Sequence, residues 1–167
     1  NIKEFSKTIM NDCSGRTEKI IIEPGRSIVG NAGVLLMKTE YVKTNGEKNF
    51  AIVDAGMNDY IRPALYQAEM EIKSVSPNSA QSKIYDIVGP VCESGDFLGK
   101  DRQLPIETGG LLCLCDAGAY GFTMSSNYNS RCRPTEILII DESLHVIRER
   151  ETFEDLIKNE KLIEYIN

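Results

Sequence analysis

The chain has 167 residues, enough for one domain with part of a second, and its 41% hydrophobic and 26% charged content excludes a disordered tail. A net charge of -6 argues against nucleic acid or an anionic membrane as partner. Five cysteines without a C-x-x-C pair, and a single histidine, make a poor zinc set and fit a reducing cytoplasm better than a disulfide framework.

The opening stretch NIKEFSKTIM places Ile2, Phe5 and Ile9 on one helical face with no cap before it, as though the chain begins inside a helix of something larger. The apolar run at residues 20–22 predicts a strand covered on both faces, as in a parallel sheet, ended by Pro24-Gly25. Helix then buried strand is how the last βα unit of an α/β domain reads. Further along, VLLMKTEYVKTNGEKNFAIVDAG predicts a hairpin about Asn45-Gly46. The stretches SKIYDIVGP, GGLLCLCDAG and TEILIIDESLHVIRER add short strands, the last a hairpin about Asp141-Glu142-Ser143. Such regular spacing implies a mainly β fold, an antiparallel sandwich or barrel. Thr152 with Asp155 forms a capping box opening a short helix to about Lys158. The expected layout is a barrel remnant over residues 1–28, a β-domain over 29–150 and a helical end over 151–167. No apolar run approaches the roughly 18 residues of a membrane span and no signal peptide is present, so the expectation is a soluble, cytoplasmic protein with no membrane partner.

Four stretches hold side chains suited to chemistry. EPGR, residues 23–26, sets Glu23 and Arg26 at the carboxyl end of the expected strand, where α/β sheets and barrels place ligands; an ion pair flanking a turn reads equally well. Arg62 and Tyr66 lie four apart after a helix-starting Pro63, so a guanidinium fork and a phenol can share one helical face as a carboxylate receptor. The bland alternative is a solvated arginine beside a core tyrosine. Tyr120 stands between Gly118 and Gly121, whose small size lets backbone approach a ligand such as a phosphate. In CESGD, the lone thiol of Cys92 lies beside Glu93 and Asp96; negative neighbours disfavour the thiolate, which suits a proton donor better than a nucleophile.

In combination, EPGRSIVGNAG, VDAGMNDYIRPALY, CESGD and CDAGAYGFTMSSNYNSR resemble the diaminopimelate decarboxylases, pyridoxal-phosphate enzymes of the alanine-racemase-like fold. The likeness runs from about Lys19 to Thr152 and covers only the C-terminal portion of such an enzyme. It implies a C-terminal β-sandwich or barrel domain preceded by the last helix and strand of a truncated (β/α)8 barrel. The lysine that holds pyridoxal 5'-phosphate as a Schiff base lies outside this sequence, and the fragment alone is expected to be inactive.

The resemblance further implies roles. Glu23 would pair with the pyridine nitrogen, and Gly25, Arg26 and Tyr120 would lie at the cofactor, with Arg26 and Tyr120 also near substrate. Arg62 and Tyr66 would hold the distal carboxylate of meso-2,6-diaminopimelate. Cys92, supplied to the partner subunit of a homodimer, would protonate the α-carbon after carbon dioxide leaves, and Glu93 would read the distal amino group. The product would be L-lysine. Gly30 stands where alanine is usual, Cys132 where proline is, and Glu69-Met70 replaces an aromatic–histidine pair, which leaves open what supports Arg62 and Tyr66. A related ornithine or arginine decarboxylase is the alternative enzyme. Arg62 would repel those cationic substrates, and Glu93 stands where the ornithine enzymes carry aspartate. A non-catalytic decarboxylase-like interaction module is the alternative of another class.

Overall fold

The computed structural model describes residues 2–163. Asn1 and residues 164–167, at the outer ends of the first and last expected segments, lie outside the described residues. Among the described residues eight strands and three α-helices follow in order. They are α1 (Ile2–Asp12), β1 (Leu35–Asn45), β2 (Lys48–Val53), α2 (Arg62–Tyr66), β3 (Ile72–Ser74), β4 (Ser82–Val88), β5 (Phe97–Pro105), β6 (Leu111–Leu114), β7 (Glu136–Ile140), β8 (Ser143–Arg148) and α3 (Phe153–Ile157). Six strands form one sheet in the order β3-β6-β1-β2-β4-β5. The two edges come together, for the Ser74 hydroxyl on β3 donates to the Pro105 carbonyl on β5 at 3.0 Å. The sheet is thus a nearly closed barrel, which removes most of the edge exposure an open sheet suffers.

The hairpin expected about Asn45-Gly46 forms, with Asn45 paired to Lys48 and Gly46 at a φ of +61°. The turn pair is therefore Gly46-Glu47, one residue on, with glycine taking the left-handed position. Alternation along β6 points Leu112 and Leu114 inward, at 2% and 0% exposure, onto a core with Met37, Val53, Ile87 and Leu98. All but one of the sheet's ladders are antiparallel; β2 and β4 run parallel, which the regular turn spacing did not foretell. The intervening α2 and β3 make the crossover a parallel pair requires. Two strands lacked a sequence signal. β3 is three residues long, and β5 carries Lys100-Asp101-Arg102 in its middle, with Asp101 at a φ of +53°.

The expected strand at residues 20–22 is not formed. No described residue pairs with it, and Ile20, Ile21 and Ile22 are 40%, 77% and 41% exposed rather than buried. A strand is a pairing as well as a composition, and without a neighbour the backbone groups face solvent. The second hairpin does form. Ile140 pairs with Ser143 across Asp141-Glu142, both at positive φ, but β7 and β8 make a ribbon of their own. The Thr152–Asp155 capping box starts α3 as expected. Among the described residues no helix is long and apolar enough to cross a membrane.

Candidate active site

The EPGR segment forms a tight turn, with Gly25 at a φ of +57° and the Ser27 hydroxyl donating to the Pro24 carbonyl at 2.7 Å. Downstream, residues 30–33 are zipped to the exit of β6. Ala117 N–H donates to the Gly33 carbonyl and Gly118 N–H to the Gly30 carbonyl, each at 2.9 Å. Two glycines permit this contact, because a Cβ on Gly118 would lie 2.1 Å from the Val29 carbonyl oxygen. The zip delivers Tyr120, itself at a φ of +58°, to the EPGR turn. A Cβ built on Gly25 would sit 3.7 Å from the Tyr120 hydroxyl.

On the other flank, α2 starts after Ile61, carries Pro63 in its first turn and stops at Gln67, which takes the left-handed conformation. Its one full turn brings Arg62 and Tyr66 together as the four-residue spacing predicted. The Arg62 guanidinium carbon lies 5.1 Å from the Tyr66 ring centroid and 5.9 Å from that of Tyr120. Arg62 Nε is buried with no hydrogen-bond partner among the described residues. A buried charged donor left unsatisfied is uncommon and costs stability; Arg102 Nε and Thr39 Oγ1 share that condition.

The support beneath this group answers the question raised by Glu69-Met70. Met70 is 3% exposed, and its sulfur accepts from the Tyr60 hydroxyl at 3.7 Å. That hydroxyl also reaches the Asp116 carbonyl at 3.5 Å. Burial pushes the Tyr60 phenol up from its ordinary range, against the opposing pull of Arg62 and Arg26, which keeps it a neutral donor. Glu69 instead faces outward and pairs with Arg102 at 2.7 Å.

Arg26 is half-buried and shares a hollow with Pro24, Asn31 and Asp116. Glu23 is exposed, in a hollow beside Ile2, Phe5 and Ser27.

Cys92 and Glu93 belong to a second group, on the loop between β4 and β5, and both are exposed. Glu93 Oε2 accepts from the Tyr128 hydroxyl at 3.1 Å, and Oε1 accepts from Ser94 N–H at 3.0 Å. Asp96 differs from the simple expectation of two carboxylates flanking the thiol. It is 5% exposed, and its two oxygens accept Met57 N–H and Val91 N–H, each at 2.6 Å. Its job is to clamp the loop onto the turn ahead of α2. Burial pushes the Asp96 carboxyl up, against those two donors and Arg131. Among the described residues no hydrogen bond, ion pair or ring contact joins Cys92 or Glu93 to Arg62, Tyr66 or Tyr120.

Residue-by-residue reading missed a polar cluster under the same turn. Asn58 and Asp59 are 1% and 8% exposed. Asp59 accepts from Gly56 N–H at 2.8 Å and from the Asn58 amide at 2.9 Å. Arg131 donates to Asn58 Oδ1 at 3.0 Å and to the Asp54 carbonyl at 2.7 Å. Burial raises the Asp59 carboxyl above its ordinary value, with Gly56 N–H and Arg131 acting the other way. The available signal was the Asn-Asp pair lodged between a strand and a helix in VDAGMNDY.

Residues 10–118 match the family model for the pyridoxal-dependent decarboxylase, C-terminal sheet domain. The diaminopimelate decarboxylase of Pseudomonas aeruginosa is 52% identical over 160 residues, which is 96% of this chain and 39% of that protein. That of Haemophilus influenzae is 54% identical over 139 residues, 83% of this chain and 34% of its own length. Among solved structures, diaminopimelate decarboxylase from Helicobacter pylori complexed with L-lysine matches with a TM-score of 0.85 at 43% identity, over 95% of this chain and 39% of that one. The chain spans well under half the length of these relatives.

Proposed function

The chain belongs to the pyridoxal-dependent decarboxylase family, whose C-terminal sheet domain its residues 10–118 match, and from that premise we propose that the whole protein is a diaminopimelate decarboxylase. The reaction removes carbon dioxide from meso-2,6-diaminopimelate and leaves L-lysine. The observation that carries this reading is the buried, unpartnered Nε of Arg62 between the rings of Tyr66 and Tyr120. A guanidinium held by aromatic faces with a free donor suits a planar carboxylate, and diaminopimelate has a second carboxylate far from the reacting carbon. Ornithine and arginine end in a cation there, which Arg62 opposes.

The residues present also fit pyridoxal phosphate. The Tyr120 hydroxyl over Gly25 and the half-buried Arg26 form a donor set matched to a phosphate. Glu23, exposed on the same turn, is assigned to the pyridine nitrogen. When bound, the cofactor supplies the electron sink for the pair left behind by carbon dioxide. Arg62 and Tyr66 hold the distal carboxylate and so fix which carboxylate is lost. Cys92 holds the proton for the α-carbon, and Glu93 accepts from the distal amino group. Both act in the partner's site of a homodimer in the cytoplasm. In this reading the segment up to residue 28 belongs to a preceding barrel domain, 29–150 form the β-domain, and the short α3 follows it.

The test is substrate competition in the full-length protein loaded with pyridoxal phosphate. Carbon dioxide release is measured from meso-diaminopimelate, ornithine and arginine. Turnover of diaminopimelate alone is expected. Preference for ornithine or arginine would overturn the substrate, and no release from any of them would favour the non-catalytic module.

A further inference from the structure

On the outer face of β6, two thiols stand two residues apart. Leu112 and Leu114 point into the core, so alternation turns Cys113 and Cys115 to the opposite face, both half-buried. The two are held in register by β3. Cys113 pairs with Lys73 and Leu114 with Ile72, and Cys115 N–H continues the ladder to the Glu71 carbonyl at 2.8 Å. Lys73 therefore lies directly across from Cys113, with its ammonium 3.0 Å from the Glu71 carboxylate.

A two-residue step along a strand spans about 6.4–6.8 Å, the upper end of the range a disulfide tolerates. A bridge between these thiols would be strained. A metal between them needs less convergence: with bonds near the ~2.3 Å of a zinc thiolate, a straight sulfur–metal–sulfur unit separates the sulfurs by about 4.6 Å. Among the described residues no group of three or more His, Cys, Asp or Glu converges to hold an ion, so a four-coordinate zinc is excluded at this place. Two sulfur ligands and no others select a soft cation satisfied by two.

We propose that Cys113 and Cys115 form a two-coordinate dithiolate site for a soft monovalent cation of the Cu(I) or Ag(I) class on the outer face of β6. Binding is not a redox step. Each thiol gives its proton to solvent, two sulfur–metal bonds form, and the complex carries a net charge of minus one. Across the strand pair lies the Lys73–Glu71 ion pair, neutral as a unit. The chain leaves β6 after Leu114 and runs through turns to Tyr120.

The experiment uses the full-length protein carrying Cys92→Ser, which removes the exposed thiol from the titration, and Cu(I) added without oxygen against a chromophoric competitor. Thiolate-to-copper absorbance in the ultraviolet reports binding. One tight equivalent per chain is expected. Either Cys113→Ser or Cys115→Ser alone should weaken it about 100-fold or more, because the second sulfur acts at high effective concentration. Cys13→Ser and Cys132→Ser should leave it unchanged. Absence of a tight equivalent, or its survival in Cys113→Ser, overturns the site. Should the serine variants fail to fold, X-ray absorption on the copper-loaded Cys92→Ser protein decides: two sulfur neighbours support the site, and any other ligand set overturns it.

Discussion

Arg62 sits between two aromatic rings with Nε unpaired among the described residues, and in the proposed function it makes a charge-assisted bond to the distal carboxylate. Such a bond contributes about 1.5–3 kcal/mol, so Arg62→Ala in the full-length enzyme should lower kcat/KM for diaminopimelate by roughly 10- to 150-fold. Arg62→Lys should recover little, since an ammonium lacks the planar fork. Steady-state kinetics check both, and unchanged kinetics for Arg62→Ala would return it to a solvated surface residue. Asp59 and Asp96 support a second prediction. Burial raises both carboxyls above their ordinary 3.8, so between that value and the raised one the folded state binds more protons than the unfolded. Their contribution to stability therefore grows as pH falls through that window and is lost as pH rises. Glu151 and Asp155 are lowered instead, and their contribution disappears only in stronger acid. Thermal unfolding across mildly acidic pH should show a shallower pH dependence in Asp59→Asn and Asp96→Asn than in the parent. An identical slope in all three would refute the assignment.

The junction between residues 30–33 and the exit of β6 decides where Tyr120 lies. It depends on Gly118, where a Cβ would meet the Val29 carbonyl at 2.1 Å and the Gly33 nitrogen at 2.8 Å, both backbone atoms that cannot swing aside. Gly118→Ala should cost about 1–3 kcal/mol by overpacking and should weaken pyridoxal phosphate binding as Tyr120 is displaced. Gly95→Ala, with nothing within 4 Å of its Cβ, is the matched control and should keep the parent's melting temperature. Equal melting temperatures for both variants would show the junction to be plastic. The residues of α2 illustrate how far local pattern reaches. Four-residue spacing and Pro63 placed Arg62 beside Tyr66, but only the Gly33–Gly118 contact brings Tyr120 over them.

Among the described residues no hydrogen bond, ion pair or ring contact joins the two groups of site residues, and the proposed two-fold dimer places them in complementary sites. Two inactive full-length variants, Arg62→Ala and Cys92→Ala, test this by subunit exchange. Each mixed dimer would then hold one site with both lesions and one with neither. Random pairing makes about half the dimers mixed, so roughly a quarter of parental activity should return. A loop serving its own chain would leave a lesion in every site. No recovery, with exchange confirmed by differently tagged subunits, would remove Cys92 from the partner's site.

What the sequence determined by itself was local. The glycine of the first hairpin, the Asp141-Glu142 turn, the capping box of α3 and the facing of Arg62 and Tyr66 are each settled by a few adjacent residues and their preferred dihedrals or periods. Tertiary structure decided what depends on a distant partner. The parallel pairing of β2 with β4 joins Asn49 to Tyr85, and the charged middle of β5 is a strand only because β4 lies beside it. The apolar run at residues 20–22 has the composition of a strand but pairs with no described residue, so no strand forms there. Asp96, adjacent in sequence to a reactive-looking thiol, spends its carboxylate on the backbone N–H of Met57, 39 residues away. Turn chemistry is carried by the residues that make the turn, whereas ladder partners and buried acceptors are fixed by packing that no short window of sequence contains.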